Sequence, residues 1–127
     1  MIYTSYFAKV NKLKKENLRL VSISRYFPKW LDKSDFAHLS FLAPNGQLLK
    51  DYKDKKIDED GYKERYLKQL SDEIGFDSLV KYFKGLDAKS NDQGIDIVLC
   101  CYETSYKFCH RHILREFLQE YVKIEEL

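Results

Sequence analysis

The chain has 127 residues, of which 44% are hydrophobic and 33% charged, a balance that suits one globular domain burying roughly two-thirds of its unfolded surface. Its net charge is only +2 and its sequence pI is 8.3, short of the marked basicity that advertises a nucleic-acid binder. The N-terminal MIYTSYFAKV lacks the basic, apolar and small-residue succession of a secretory signal. The longest apolar window, IDIVLCCY, is too short to cross a bilayer. A cytoplasmic protein with no membrane contact is expected, its three cysteines kept as free thiols by a reducing compartment.

In chain order, the aromatic IYTSYFA of Ile2 to Ala8 predicts a short strand, and the lysine-rich NKLKKENL after it a weak helix or solvated loop. LRLVSIS, Leu18 to Ser24, joins β-branched and apolar residues as a second strand, and Pro28 ends regular structure soon after. FAHLSFLAPNGQLLKDYKDKK carries a turn signal at Pro44, Asn45 and Gly46 and reads as irregular, with a short helical piece around Gln47 to Tyr52.

Two helices follow. Asp58 to Leu70 places Tyr62, Tyr66, Leu67 and Leu70 at helical spacing, and Phe76 to Leu86 does the same with Phe76, Leu79, Val80 and Phe83. The turn-forming SNDQG then introduces Ile95 to Tyr102, the most apolar run of the chain, which predicts a strand buried on both faces, as in a parallel sheet. The last helix, from about Cys109 to Lys123, carries a single apolar stripe of Ile113, Leu114, Phe117, Leu118, Tyr121 and Val122.

This order predicts a small layered α/β domain. Its mostly parallel sheet has three to five strands flanked by helices, with a long helical crossover before the last strand. Ligands of such sheets bind beyond the carboxyl ends of the strands, where Ser22, Ser24, Arg25, Cys101, Tyr102 and Glu103 are expected to meet the start of the last helix.

Four stretches, VSISRYFPKW, LAPNGQLLKDYK, YKERYLKQL and VLCCYETSYKFCHRHILREFL, make the chain similar to the bacterial domain of unknown function 488 family. The last is the most specific, because the family closes its final strand with a Cys-Tyr-Glu-like tripeptide and opens its final helix with Cys-His-Arg. The resemblance covers most of the chain and implies an α/β fold. It implies a site at the motif positions Arg25, Pro28, Tyr66, Cys101, Glu103, Cys109, His110 and Arg111.

The chemistry can be weighed residue by residue. Cys109, at the first turn of the last helix, meets unpaired backbone N–H groups that favour a thiolate, and His110 follows it on the apolar stripe. Arg111, at the stripe's edge, can reach an anion bound at the helix start or clamp onto Glu103. Glu103 can orient a substrate or serve as acid or base. Arg25 with Tyr26 and Trp30 offers charge beside aromatic faces, which suits a nucleobase and its phosphate. Tyr66 and Cys101 complete the candidate ligand contacts.

Each residue also has a plain structural role. Buried cysteines at a strand end are commonly packing, and a helix-face tyrosine is commonly core. Two alternatives fail on spacing. A Cys-x5-Arg phosphate loop from Cys101 meets Lys107 instead of arginine and has no glycine. A structural zinc set of Cys101, Cys109, His110 and His112 has no Cys-x2-Cys pair, and its two histidines diverge on a helix; no metal and no cofactor are expected.

Three functions stay open. The chain is a small Cys/His-dependent enzyme acting on a phosphorylated or nucleotide-like ligand, a non-catalytic nucleotide- or protein-binding module, or a nucleic-acid binder using the lysines at 12–15 and 53–56.

Overall fold

The computed structural model describes residues 1–13 and 17–127. Part of the lysine-rich segment, including two lysines of the 12–15 cluster, falls outside the described residues. Among the described residues five strands form one sheet: β1 (Ile2–Tyr6), β2 (Leu18–Ser22), β3 (Ala37–His38), β4 (Asp96–Cys101) and β5 (Ile124–Glu126). Their order is β3-β2-β4-β1-β5, and every pairing is parallel. The α/β architecture expected from the sequence is the one observed.

After Asp96, β4 is apolar and buried because it lies at the centre. It pairs with β1 on one side, Ile2 opposite Ile97, and with β2 on the other, Leu20 opposite Val98. Alternation then divides its side chains between two cores. Ile97, Leu99 and Cys101 join Val21 and Ile23 under the helices α2 (Gly46–Lys53), α3 (Glu59–Glu73), α4 (Phe76–Gln93) and α5 (His110–Leu118). Val98 and Cys100 face the other way, onto Phe7 and Val10 of the short α1 (Phe7–Val10) and onto Phe36. Among the described residues no helix is long and apolar enough to cross a membrane.

The crossover from β3 to β4 builds the wall of the later site. Asn45 caps α2 by accepting the backbone N–H of Leu48 at 2.8 Å, the ordinary N-terminal solution for orphaned amides. α3 then holds the loop before α2 in place: Tyr66 donates its hydroxyl to the carbonyl of Leu42 at 2.5 Å. Gln69 accepts from the Asn45 N–H at 2.8 Å and donates to the Ala43 carbonyl at 2.9 Å. Arg65 ties α3 to α2 through Asp51 at 2.7 Å. The segment that reads as mostly irregular is therefore fixed by side chains arriving from a helix downstream.

Three of the differences from the sequence reading have a clear physical reason. SNDQG is not a free turn but the end of α4, which runs on to Gln93 and stops at Gly94 with φ 65. That left-handed conformation favours glycine, and the polar last turns of the helix carry no apolar periodicity to announce them. α5 ends at Leu118 rather than near Lys123, because Val122 and Ile124 turn inward and Ile124 opens β5 beside β1. β3 has two residues, both exposed, too short for any pattern in sequence.

Candidate functional site

β2 and β4 end side by side, and the chain leaving each turns over the sheet towards the start of α5. Between them lies a cavity of about 170 Å³. Cys101, Cys109 and His110 form its floor, Tyr52, Tyr62 and Phe108 its aromatic walls, and Ser24, Arg25 and Glu103 its rim. The walls brace one another, with the Tyr62 ring 5.1 Å from both Tyr52 and Phe108. This is the carboxyl edge that parallel sheets present to ligands.

Cys109 occupies the cap position of α5 in extended conformation (φ −157, ψ 148), so its sulfur sits at the open end of the helix. His110 begins the helix itself. Its Nδ1 lies 3.7 Å from Cys109 Sγ, and its Nε2 lies 2.7 Å from the carbonyl oxygen of Ile23. A carbonyl only accepts, so Nε2 carries the hydrogen and Nδ1 turns its lone pair or proton to the sulfur. The imidazole edge is fixed from behind by Tyr66, whose ring meets it edge-on at 5.6 Å.

Two thiols share this floor, and their environments separate them. Cys109 accepts from the Cys101 thiol, from His110 and from the backbone N–H of Arg111, and despite burial these hold it well below the usual thiol range, at about 3. Burial pushes Cys101 well up, and donation to Cys109 reinforces the effect. Of the two, Cys109 is the more readily ionised thiol. Cys100 points to the opposite core and burial raises it to about 12.

Arg111 does not face the cavity. It is fully buried, with Nε and NH2 on the two carboxylate oxygens of Glu126 at 3.2 and 2.8 Å. NH1 reaches Cys101 Sγ at 2.9 Å and the backbone carbonyl of Glu103 at 2.6 Å. The clamp expected between Arg111 and Glu103 is therefore made to the Glu103 main chain, while the charge partner is Glu126. That carboxylate also accepts from Thr4 and Ser105, each at 2.6 Å.

Arg25 and Tyr26 stand at the rim, exposed. Arg25 lies across Gly46, where an added Cβ would come within 3.3 Å of its Nε. Trp30 is 58% exposed and does not line the cavity, and Tyr66 lies behind His110 rather than on the wall. His112 is half-buried and stays out of the cluster of Cys101, Cys109 and His110. Burial, and then the charge of Arg111, lowers its pKa.

The family model DUF488-N3a, described as the active DUF488-N3 subclade, matches residues 2–122. The chain belongs to DUF488-N3a. No curated protein and no solved structure matches it. In this DUF488-N3a chain the motif positions Cys101, Glu103, Cys109, His110 and Arg25 meet at one cavity, while Arg111 and Tyr66 support it from behind. Sequence reasoning missed Glu126, Tyr52 and Phe108. Glu126 lies beyond the last recognised helix, 15 residues from Arg111, and no local pattern announces the pairing. Tyr52 belongs to a piece that shows no clear period, and Phe108 precedes the helix on which the motif was read.

Proposed function

We propose that this chain is a small thiol-dependent enzyme whose nucleophile is Cys109. The contact between Cys109 Sγ and His110 Nδ1 at the cavity floor carries the reading. A thiolate at a helix start beside an oriented imidazole is the arrangement that activates cysteine for attack. The family's description as an active subclade supports an enzyme over a relic.

The cavity suggests what is attacked. A space of roughly 150 Å³ admits one benzene-sized guest, so the 170 Å³ here takes a single ring against Tyr52, Tyr62 and Phe108. An anionic group of the same ligand, such as a phosphate, would stay at the rim beside Arg25. A nucleotide-like molecule fits only with its base inward and its phosphate outward. In the reaction the Cys109 sulfur forms a bond to an electrophilic centre, the leaving group departs with its electron pair, and His110 supplies or receives the proton. Glu103, at the rim, orients the polar part of the ligand. Three free cysteines suit a reducing cytoplasm.

The test is covalent labelling of the metal-free protein with small ring-bearing electrophiles, in anionic and neutral versions, followed by peptide mapping. The reading expects a single adduct on Cys109, formed faster with the anionic version and lost in Cys109→Ser. Labelling that falls on Cys100, or that is indifferent to His110→Gln in a variant of native circular dichroism, would overturn it.

A further inference from the structure

We infer that Cys101, Cys109 and His110 form a three-ligand site for a zinc ion, with the fourth coordination position open to the cavity. The sequence argues against zinc because His110 and His112 diverge. The fold removes that objection by bringing Cys101 from β4 together with Cys109 and His110, without His112. The ligand atoms of the three residues lie within 4.8 Å of one another. All three residues line the cavity, so the position that protein atoms leave empty faces the space where a water or ligand would sit.

The spacing of Cys109 and His110 agrees with one shared ion. Zinc holds sulfur at about 2.3 Å and imidazole nitrogen at about 2.0–2.1 Å in a tetrahedron, which sets the S···N edge at about 3.6 Å. The observed separation of Cys109 Sγ and His110 Nδ1 is 3.7 Å. Two sulfurs and one imidazole are a soft set that selects zinc over magnesium or calcium.

The surrounding contacts are those a metal centre requires. The Nε2–H of His110 is spent on the Ile23 carbonyl at 2.7 Å, which leaves Nδ1 as the coordinating nitrogen, the usual orientation of a metal-bound histidine. Arg111 NH1 at 2.9 Å from Cys101 Sγ donates to the second sulfur and offsets its negative charge when it is deprotonated. The Arg111 charge is in turn neutralised by Glu126, so zinc with two thiolates adds no net charge to the buried site.

This inference goes beyond the proposed thiol chemistry and does not depend on it. A sulfur that coordinates zinc is not free to attack, so the loaded protein is silent in thiol reactions and the metal-free protein is competent. Zinc would act as a reversible mask of Cys109.

The chelator-treated 127-residue chain is titrated with Co²⁺ as a spectroscopic stand-in, which is then displaced with Zn²⁺. One equivalent should give sulfur-to-cobalt charge transfer and tetrahedral visible bands. Cys109→Ser should abolish them, and Cys101→Ser should weaken binding at least ~10-fold, a loss of about 1.4 kcal/mol or more. Cys100→Ala should leave them unchanged. X-ray absorption of the zinc-loaded wild type needs no variant and should show two sulfurs, one imidazole nitrogen and one light atom. No charge-transfer band, or a shell without sulfur, overturns the site. Iodoacetamide labelling of Cys109 is read separately, with and without Zn²⁺. Zinc binding without labelling of the metal-free protein keeps the metal site and defeats the thiol reading, and labelling without zinc binding does the reverse.

Discussion

Removing the carboxylate of Glu126 should cost the protein a large share of its stability. Arg111 has no exposed surface and Glu126 keeps 16% of its side chain exposed, so Glu126→Ala leaves a buried guanidinium without its counter-charge. Breaking such a pair from one side costs about 3–5 kcal/mol. Glu126 lies in a three-residue edge strand and keeps part of its side chain in solvent, which places the expected loss near the lower limit, at ~3 kcal/mol. Against a domain stability of about 5–15 kcal/mol that is a large fraction, and at this size it lowers Tm by roughly 10 °C. Urea unfolding followed by circular dichroism measures it. The paired replacement Arg111→Met with Glu126→Leu should be less damaging than Glu126→Ala alone, because it removes both charges from the interior. A loss below about 1 kcal/mol for Glu126→Ala, the range of exposed pairs, would refute the view that this ion pair is the keystone behind the site.

Three further outcomes are expected. Although burial alone would raise it, Glu126 is held below its ordinary value of 4.5 by hydrogen bonds from Arg111, Ser105 and Thr4. Its contribution is therefore complete above the unfolded-state value and is lost as pH falls through the lower folded value. Acid titration of unfolding free energy should show a shallower loss below about pH 5 in Glu126→Gln than in wild type, and parallel curves would contradict the assignment. Tyr66→Phe leaves the buried Leu42 carbonyl without its donor and should cost about 1–3 kcal/mol in denaturant unfolding; a neutral result would mean that this bond does not hold the loop before α2. Arg25→Ala should lower the ratio of iodoacetate to iodoacetamide labelling at Cys109 by roughly two- to fivefold, the value of one exposed charge contact, while an unchanged ratio would remove Arg25 from anion binding.

The sequence announced the parts of the fold that repeat a pattern. The apolar run after Asp96 marked β4 as a strand with neighbours on both sides, and the spacing of Tyr62, Tyr66 and Leu70 marked α3. Elements held by distant partners were silent. β5 exists because Ile124 packs inward and the Leu127 N–H reaches the Thr4 carbonyl at 2.7 Å, contacts that span almost the whole chain. The site was legible in its motif and not in its division of labour. Cys109 and His110 could be placed at a helix start by counting, whereas the turning of Arg111 away from the cavity depends on a carboxylate that reaches it from β5.

The account rests on Cys109 being an activated thiolate in the metal-free protein, and its alkylation rate measures that directly. At about pH 6 an ordinary thiol with a pKa near 8.5 is under roughly 1% ionised. Chelator-treated wild type, given limiting iodoacetamide at that pH and mapped by peptide mass spectrometry, should be modified at Cys109 alone, with Cys100 and Cys101 untouched, and His110→Gln should slow the reaction. Modification of Cys109 no faster than that of a free cysteine in the same tube, or only after unfolding in urea, would contradict the account.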